Sequence, residues 1–429
     1  MAVRRILGWP HPRQVIVSAL IALLVALYAY LYLLPLLGPH APRADDFQDY
    51  LFAAHQLASG GDPYANFIRN HVPWDWSLSS GYLYPPAFAV ILIPLTWVSN
   101  DLAVRIWLLL IQAAMAASLL IVYAVIGRPR RSELLCLAAV MTTFFPLASS
   151  VLTGSMNTLL LLLLTGAWAS WRRRKDVLSG VLIGTAAVFK LFPLALLPYL
   201  AWRRHWKLLA AVGVTGLAGL LLGLAVTSFA HNLYYFREML PHLAAGTGYR
   251  ENQSLAGFTA RICQPSTADA GGGAGWCGRA LDWPLLLLLL FIVLRATSRP
   301  ARSGLEFALA ISALPLISSV TWSFHLVVLI LPIALLIRQA FAGAMSRLAG
   351  RFLLAAWLCF SVGPALHYLL IYHPLPQLPG ILELLPLGLT RLFGEAYFIG
   401  TLIVFGSVWV ALRNERRLVA AAGELAPAA

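Results

Sequence analysis

Three carboxylates crowd the stretch "DDFQDY": Asp45, Asp46 and Asp49, with Asp62 and Asp75 further along the same loop. A carboxylate within hydrogen-bond reach of a hydroxyl can take its proton as that oxygen attacks an electrophile. By residue type alone Asp45, Asp46 and Asp49 are equal candidates. A lone cation, Lys190, stands inside the apolar run "GVLIGTAAVFKLFPLALLPYL". An ionisable side chain in such a run is costly unless paired or facing water, so function is the reading it invites, and a cation there suits a lipid phosphate. Further polar groups come from Asn157 in "TGSMN", from Arg250, Asn252 and Gln253 in "YRENQS", from Arg261, and from His325 in "TWSFH". Singly, each has a plainer reading as a solvated loop group or a structural hydrogen-bonder. Together they suggest a polytopic transferase that takes a group from a lipid phosphate carrier.

The elements that must position these residues are membrane helices. At 60% hydrophobic and 11% charged, the chain lies far from the soluble norm of roughly 45–50% apolar and 25% charged residues. Segments 14–37, 101–126, 133–152, 206–228 and 352–371 approach or exceed the roughly 20 apolar residues needed to span a bilayer as helix. Period-two alternation does not occur, which excludes a barrel. The first segment is too long for a signal peptide and lacks a small-residue cleavage site, so it reads as a retained anchor. The net charge of +14 does not point to nucleic acid, because the basic residues border apolar segments as short clusters. Lysine and arginine in short loops mark the cytoplasmic side. That places 1–13, 127–131, 171–175, 203–207, 295–302, 338–351 and 413–417 inside and loop 38–84 outside.

Parity then decides what hydropathy leaves open. Residues 101–126 run from outside to inside, so no full crossing is left for 85–98, which reads as a re-entrant or in-plane helix with Pro85 and Pro86 at its start. Its Tyr82 and Tyr84 are expected at headgroup level, roofing a groove that reaches the lipid. Residues 177–202 carry basic clusters at both ends and break between Lys190 and Pro193. Each half has roughly 12 residues, about 18 Å of helix, against a 30 Å core. This predicts a hairpin of two short helices with Lys190 at its apex, a form that survives only when buried in protein or lining a cavity. The remaining spans, 133–152, 157–171, 206–228, 282–297, 303–318, 324–341, 352–371 and 395–412, bring the total to about ten full crossings of membrane-spanning length. Segment 381–392 is a third short piece. A second outer loop, 229–281, holds Cys263 and Cys277, close enough to close a disulfide worth about 3 kcal/mol. Cys136 and Cys359 read as packing residues, and the four cysteines show no metal-binding spacing. The whole chain, 1–429, reads as one all-α integral-membrane domain with its polar constellation on the outer face.

Several stretches in order resemble a known family: "DDFQDYLFAAHQLASGGDPY", "YLYPP", "GSMNTLLLLLLTGAW", "GVLIGTAAVFKLFPLALLPYL" and "NQSLAGFTAR". The pattern is similar to the polyprenol-phosphate-mannose-dependent α-1,2-mannosyltransferases of the actinobacterial phosphatidylinositol-mannoside type, which are C-type glycosyltransferases. The similarity runs from about residue 14 to 412. Two positions depart from the family: Ser155 stands where glutamine is common, and Phe324 precedes His325 where the family commonly has two histidines. The resemblance implies that Asp46, preceding the "FxxY" pattern, is the catalytic base of an inverting transfer of a sugar, mannose, from a polyprenyl-phosphate carrier to a lipid or glycan hydroxyl. Lys190, helped by Arg250 or Arg261, would meet negative charge growing on the leaving phosphate, where electrostatic stabilisation accelerates a reaction. Lys190, Asn157, Tyr84, Asn252, Gln253, Arg261 and His325 form the expected substrate-binding set, with no cofactor and no metal. The expected setting is the cytoplasmic membrane with the site on its extracytoplasmic side. The rival reading is a transporter or flippase of lipid-linked sugars. Transporters often pair broken helices in corresponding halves, whereas the breaks at 85–98 and 177–202 both fall in the N-terminal half. A third reading is a C-type transferase for another sugar.

Overall fold

Serine, glycine and proline set where the helices begin and end. Ser99 caps Asn100–Ile126 by accepting the Leu102 N–H, and Ser254 caps Leu255–Cys263 by accepting that of Gly257 at 3.1 Å. Such caps satisfy donors that the first helical turn leaves unpaired. Pro86 opens Pro86–Leu92, where its missing N–H costs little. The computed structural model describes residues 12–66, 81–265, 273, 275–299, 301, 303–343, 345, 347–363 and 394–424. Asp75, the short piece expected over 381–392 and the end of the span expected over 352–371 lie outside the described residues. Among the described residues every regular element is helical, as an all-α membrane protein requires.

Six helices are long and apolar enough to cross a membrane: Arg13–Leu37, Asn100–Ile126, Trp206–Val226, Trp276–Ala296, Ser323–Phe341 and Ala396–Leu418. A seventh is obtained if Arg131–Thr143 and Phe145–Thr153, bent by 50° ahead of Pro146, count as one span. The expected ten full crossings are therefore not reached by length among the described residues. The shortfall has a physical form. Leu305–Ile317, expected as a full span, has 13 residues, about 20 Å of helix against a 30 Å core. Twelve of those residues, Leu305 to Leu316, are buried in protein. It is a core strut rather than a lipid-facing span.

The hairpin expected over 177–202 is present as Asp176–Phe189, a break, a 3-10 turn over Phe192–Leu196 and Leu197–Trp202. Its two ends meet: Trp171 Nε1 donates to His205 Nε2 at 3.3 Å, and His205 Nδ1 lies 3.9 Å from Asp176. Lys190 is thus at the far tip, about 21 Å away along 14 residues of helix. The other basic clusters gather at the end where the hairpin closes. Arg203 donates to the Ser298 carbonyl at 2.9 Å, Trp168 to Gly304 O at 3.3 Å, and Arg416 to the Arg299 carbonyl. Arg130 donates to Phe341 O at 2.6 Å, and Arg338 pairs with buried Glu133 at 3.1 Å. The polar constellation occupies the opposite end of the bundle.

At that end Cys263 and Cys277 form a disulfide with Cα atoms 5.9 Å apart, tying Leu255–Cys263 to the start of Trp276–Ala296. Cys136 and Cys359 are free and half-buried. Tyr82, expected to present its ring to the lipid headgroups, faces protein instead. It is fully buried, donating to Pro85 O at 2.6 Å and accepting from the Ala89 N–H at 2.9 Å. The reason is an aromatic cluster in which the Tyr82 ring packs 5.7 Å from both Tyr64 and Tyr84. The Pro86–Leu92 helix is correspondingly packed against protein, with Phe88 between Tyr50 and Phe189.

Candidate active site

Asp46 is held by an unusual start to its helix. Ala44 adopts the left-handed conformation, φ 49°, immediately before Asp45–Ala58, so Asp45 and Asp46 fall in the first helical turn. A non-glycine residue there stores strain that its surroundings must over-determine. Those surroundings include Gly154, at φ +68°, where an added Cβ would lie 2.8 Å from Ala44 Cβ and 3.0 Å from Phe47 Cβ. Only glycine meets both the backbone angle and the approach. Trp107 then clamps the contact: its Nε1 donates to Gly154 O at 2.6 Å and its ring stacks on Phe47 at 5.0 Å. The helix start is thereby locked.

The three carboxylates that residue type left equal are now distinct. Asp45 is exposed. Asp49 is occupied, accepting the Gly81 N–H at 2.8 Å and Asn66 Nδ2 at 3.4 Å. Asp46 lines the cavity with a buried oxygen, Oδ2, that completes no hydrogen bond among the described residues, although the Thr153 hydroxyl is near enough to favour its ionised form. Burial pushes its carboxyl up to about 7, against the pull of the Lys190 charge and with a further push from Asp49. A base in that range is matched to neutral pH.

Lys190 breaks the hairpin in extended conformation, φ −155° and ψ 128°. Its Nζ shares a short hydrogen bond with His325 Nε2 and stands 5.5 Å above the Tyr84 ring. His325 Nδ1 is occupied by the Trp322 backbone N–H at 3.1 Å, which turns Nε2 toward Lys190. The Tyr84 hydroxyl accepts from Tyr50 at 3.2 Å, fixing the ring under the cation. These groups line a cavity of about 570 Å³, within the range of ligand sites. Its walls also include apolar Leu191, Phe192, Leu240 and Leu243. The arrangement offers a proton acceptor beside a cation, with greasy surface alongside.

Of the expected set, Tyr84, Lys190 and His325 join Asp46 in the cavity; the other four do not line it. Asn157 is buried behind it, donating to Ser155 Oγ at 2.9 Å, and Ser155 in turn bonds Ser150 at 2.8 Å. Asn252 donates to Thr247 O at 2.8 Å and Ser319 O at 3.0 Å and accepts from Thr321 N at 2.8 Å. Gln253 bridges Arg250 O, Gly394 O and the Phe398 N–H. Arg261 makes a bidentate pair with Glu395, 2.6 Å on each side, and donates to Tyr249 O at 3.0 Å and Asn252 O at 2.9 Å. Asn252, Gln253 and Arg261 spend their donors bracing the outer loop, whereas Asn157 Oδ1 is buried without a hydrogen-bond partner among the described residues. Arg250, the other expected helper of Lys190, also does not line the cavity. Residue type in an outer loop cannot separate a brace from a ligand contact. What the sequence reading missed are Tyr235, Tyr249, Glu251 and Trp322, all of which line the cavity. Only Glu251 carried a signal, as an acid inside "YRENQS".

Residues 82–319 match the model of glycosyltransferase family 87. The chain belongs to that family. Family 87 is a C-type family, in accord with the all-helical fold, and membership supports glycosyl transfer rather than the flippase reading. The matched span takes in Tyr84, Lys190 and Glu251, while Asp46 and His325 flank it in sequence. Two relatives extend the likeness over most of the chain. One, from Mycobacterium tuberculosis (strain CDC 1551 / Oshkosh), is a polyprenol-phosphate-mannose-dependent alpha-(1-2)-phosphatidylinositol pentamannoside mannosyltransferase. It is 28% identical over 333 residues, 76% of this chain and 73% of its own. The other, a polyprenol-phosphate-mannose-dependent alpha-(1-2)-phosphatidylinositol mannoside mannosyltransferase of Mycolicibacterium smegmatis (strain ATCC 700084 / mc(2)155), is 27% identical over 320 residues, 68% of each chain.

Proposed function

We propose that this family 87 glycosyltransferase moves a mannosyl unit from a polyprenyl-phosphate carrier to a hydroxyl of a membrane-anchored glycolipid, with inversion at the anomeric carbon. The observation that carries the reading is the pairing, in one cavity, of Asp46 with its unpartnered oxygen and Lys190 at the tip of a broken hairpin. The names of the two relatives support the donor and the lipid acceptor.

In this reading the acceptor hydroxyl gives its proton to Asp46 as its oxygen attacks the anomeric carbon. The bond from that carbon to the phosphate oxygen breaks, and polyprenyl phosphate leaves with a second negative charge growing on its phosphate. Lys190, oriented by His325 and Tyr84, meets that charge, so its contribution is larger in the transition state than in the bound donor. No cofactor is needed for the proton or for the charge. The basic clusters at the far end of the bundle support a cytoplasmic orientation for that end and, with it, a site on the extracytoplasmic side of the cytoplasmic membrane.

The test is to incubate purified protein with radiolabelled polyprenyl-phosphate mannose, glucose or arabinose and a membrane-lipid extract. Labelled glycolipid formed from the mannose donor is expected. Transfer from another donor in preference to mannose would overturn the sugar assignment. Movement of intact donor across vesicles with no glycosidic product would overturn the reaction.

A further inference from the structure

Glu251 has no part in the chemistry above, yet its side chain lines the same cavity. The turn that carries it is tied on both sides: Asn252 N donates to Tyr249 O at 2.8 Å, Gln253 Nε2 to Arg250 O at 2.8 Å, and Arg261 to Tyr249 O at 3.0 Å. Tyr249, two residues before Glu251, and Trp322 meet edge to face, ring centroids 6.0 Å apart, and both also line the cavity. Burial raises the Glu251 carboxyl, and the nearby charges of Arg250 and Arg261 counter that only in part. A carboxylate placed in a cavity wall can accept hydrogen bonds from donors that enter with a ligand. Proton abstraction is already assigned to Asp46, the acid coupled to Lys190. An ionised carboxylate is an acceptor with several lone pairs, able to take two neighbouring hydroxyls at once, and an aromatic ring beside it covers an apolar C–H face. That combination matches a pyranose.

We propose that Glu251, with Tyr249 and Trp322 lining the same cavity, is a sugar-binding residue that accepts hydrogen bonds from hydroxyls of the pyranose held there and so decides which sugar is processed. The assignment rests on the transferase reading. A site built around a substrate hydroxyl discriminates strongly against an analogue that lacks it, because its own polar group is then left unpaired.

The experiment compares wild type, Glu251→Gln and Glu251→Ala with polyprenyl-phosphate mannose, its monodeoxy analogues, a mannosylated inositol phospholipid acceptor and the acceptor's monodeoxy analogues. Glu251→Ala is expected to lose roughly 10–100-fold in kcat/KM with the complete substrates, the scale of a charge-assisted hydrogen bond. Glu251→Gln, nearly isosteric, is expected in between. For one deoxy analogue the wild type and Glu251→Ala should differ by less than about threefold, since the lost partner is already absent. If that analogue is a donor, Glu251 holds the transferred sugar; if it is an acceptor, it holds the receiving one. An equal loss against every analogue, no loss at all, or a Glu251→Gln variant that binds both substrates and transfers nothing would overturn the assignment while leaving the transferase reading intact. A wild type that transfers no sugar would remove both.

Discussion

Lys190 and His325, 135 positions apart in the chain, meet where two helices are interrupted: Lys190 at the tip of the broken hairpin, His325 in the 3-10 turn that opens the Ser323–Phe341 span. Each interruption frees a side chain to face the cavity. His325 accepts one hydrogen bond on Nδ1 from its own backbone turn, so a neutral ring carries its proton on Nε2, the nitrogen that faces Lys190 and donates to it when the amine is uncharged. The contact fixes where Lys190 Nζ sits, over the Tyr84 ring and in the same cavity as Asp46.

If that charge stabilises the leaving phosphate, Lys190→Ala should lower turnover by roughly 10²–10³, the scale for removing one transition-state donor. His325→Phe, which leaves the cation in place but unoriented, should lose less. Both are read as initial rates at saturating donor. Unchanged turnover in Lys190→Ala would reduce the lysine to an anchor for the hairpin tip.

The activity should also follow the protonation of Asp46. Its carboxyl is pushed up to about 7, and only the ionised form can accept a proton. The sign for Asp46 is loss on the acid side, kcat/KM falling about tenfold per pH unit below about 7, and because burial lowers the Lys190 ammonium to about 7 as well, activity should fall again on the alkaline side as that cation is lost. Because the Asp49 charge helps raise Asp46, Asp49→Asn should move the acid-side inflection to lower pH. A profile flat from pH 5 to 8, measured with label transfer, would exclude Asp46 as the titrating base.

The membrane class, the broken hairpin and the grouping of basic clusters were legible in the sequence because they follow from solvation: an apolar run too short to cross must bend, and Lys190 within it must find water or a partner. The Cys263–Cys277 disulfide was legible for a similar reason, two thiols close in an outer loop. The choice among Asp45, Asp46 and Asp49 was not. It depends on the left-handed Ala44 and its contact with Gly154, and that contact joins segments about 110 residues apart. Nor could composition show that Asn252 and Gln253 spend their donors on backbone carbonyls and Arg261 on Glu395 and backbone carbonyls, while Glu251, just before them, lines the cavity. The expected span count exceeded the observed one because hydropathy does not distinguish lipid from protein around Leu305–Ile317.

The brace built on Arg261 should be a matter of stability. Its pair with Glu395 is largely buried, with side chains 10% and 15% exposed. Removing one partner of such a pair costs about 3 kcal/mol, mostly for the charge left behind. Arg261→Ala and Glu395→Ala should each lower the melting temperature in detergent, and Arg261→Met with Glu395→Met should recover part of it. Full stability with lost donor binding would return Arg261 to the substrate-contact set.

Sidedness is testable apart from catalysis. Single cysteines replacing exposed Ser59 and Glu238, at the cavity end, should react with an impermeant thiol reagent in intact cells. One replacing exposed Lys175, at the basic end, should react only after permeabilisation. Labelling of Lys175→Cys in intact cells would invert the assigned orientation.

The most direct measurement is sugar transfer and donor binding in parallel for Asp46→Asn. A general base is needed for attack but not for holding the donor, so transfer should vanish while polyprenyl-phosphate affinity stays within about threefold of wild type, and Asp45→Asn should retain measurable activity. Wild-type transfer by Asp46→Asn would contradict the account at its centre.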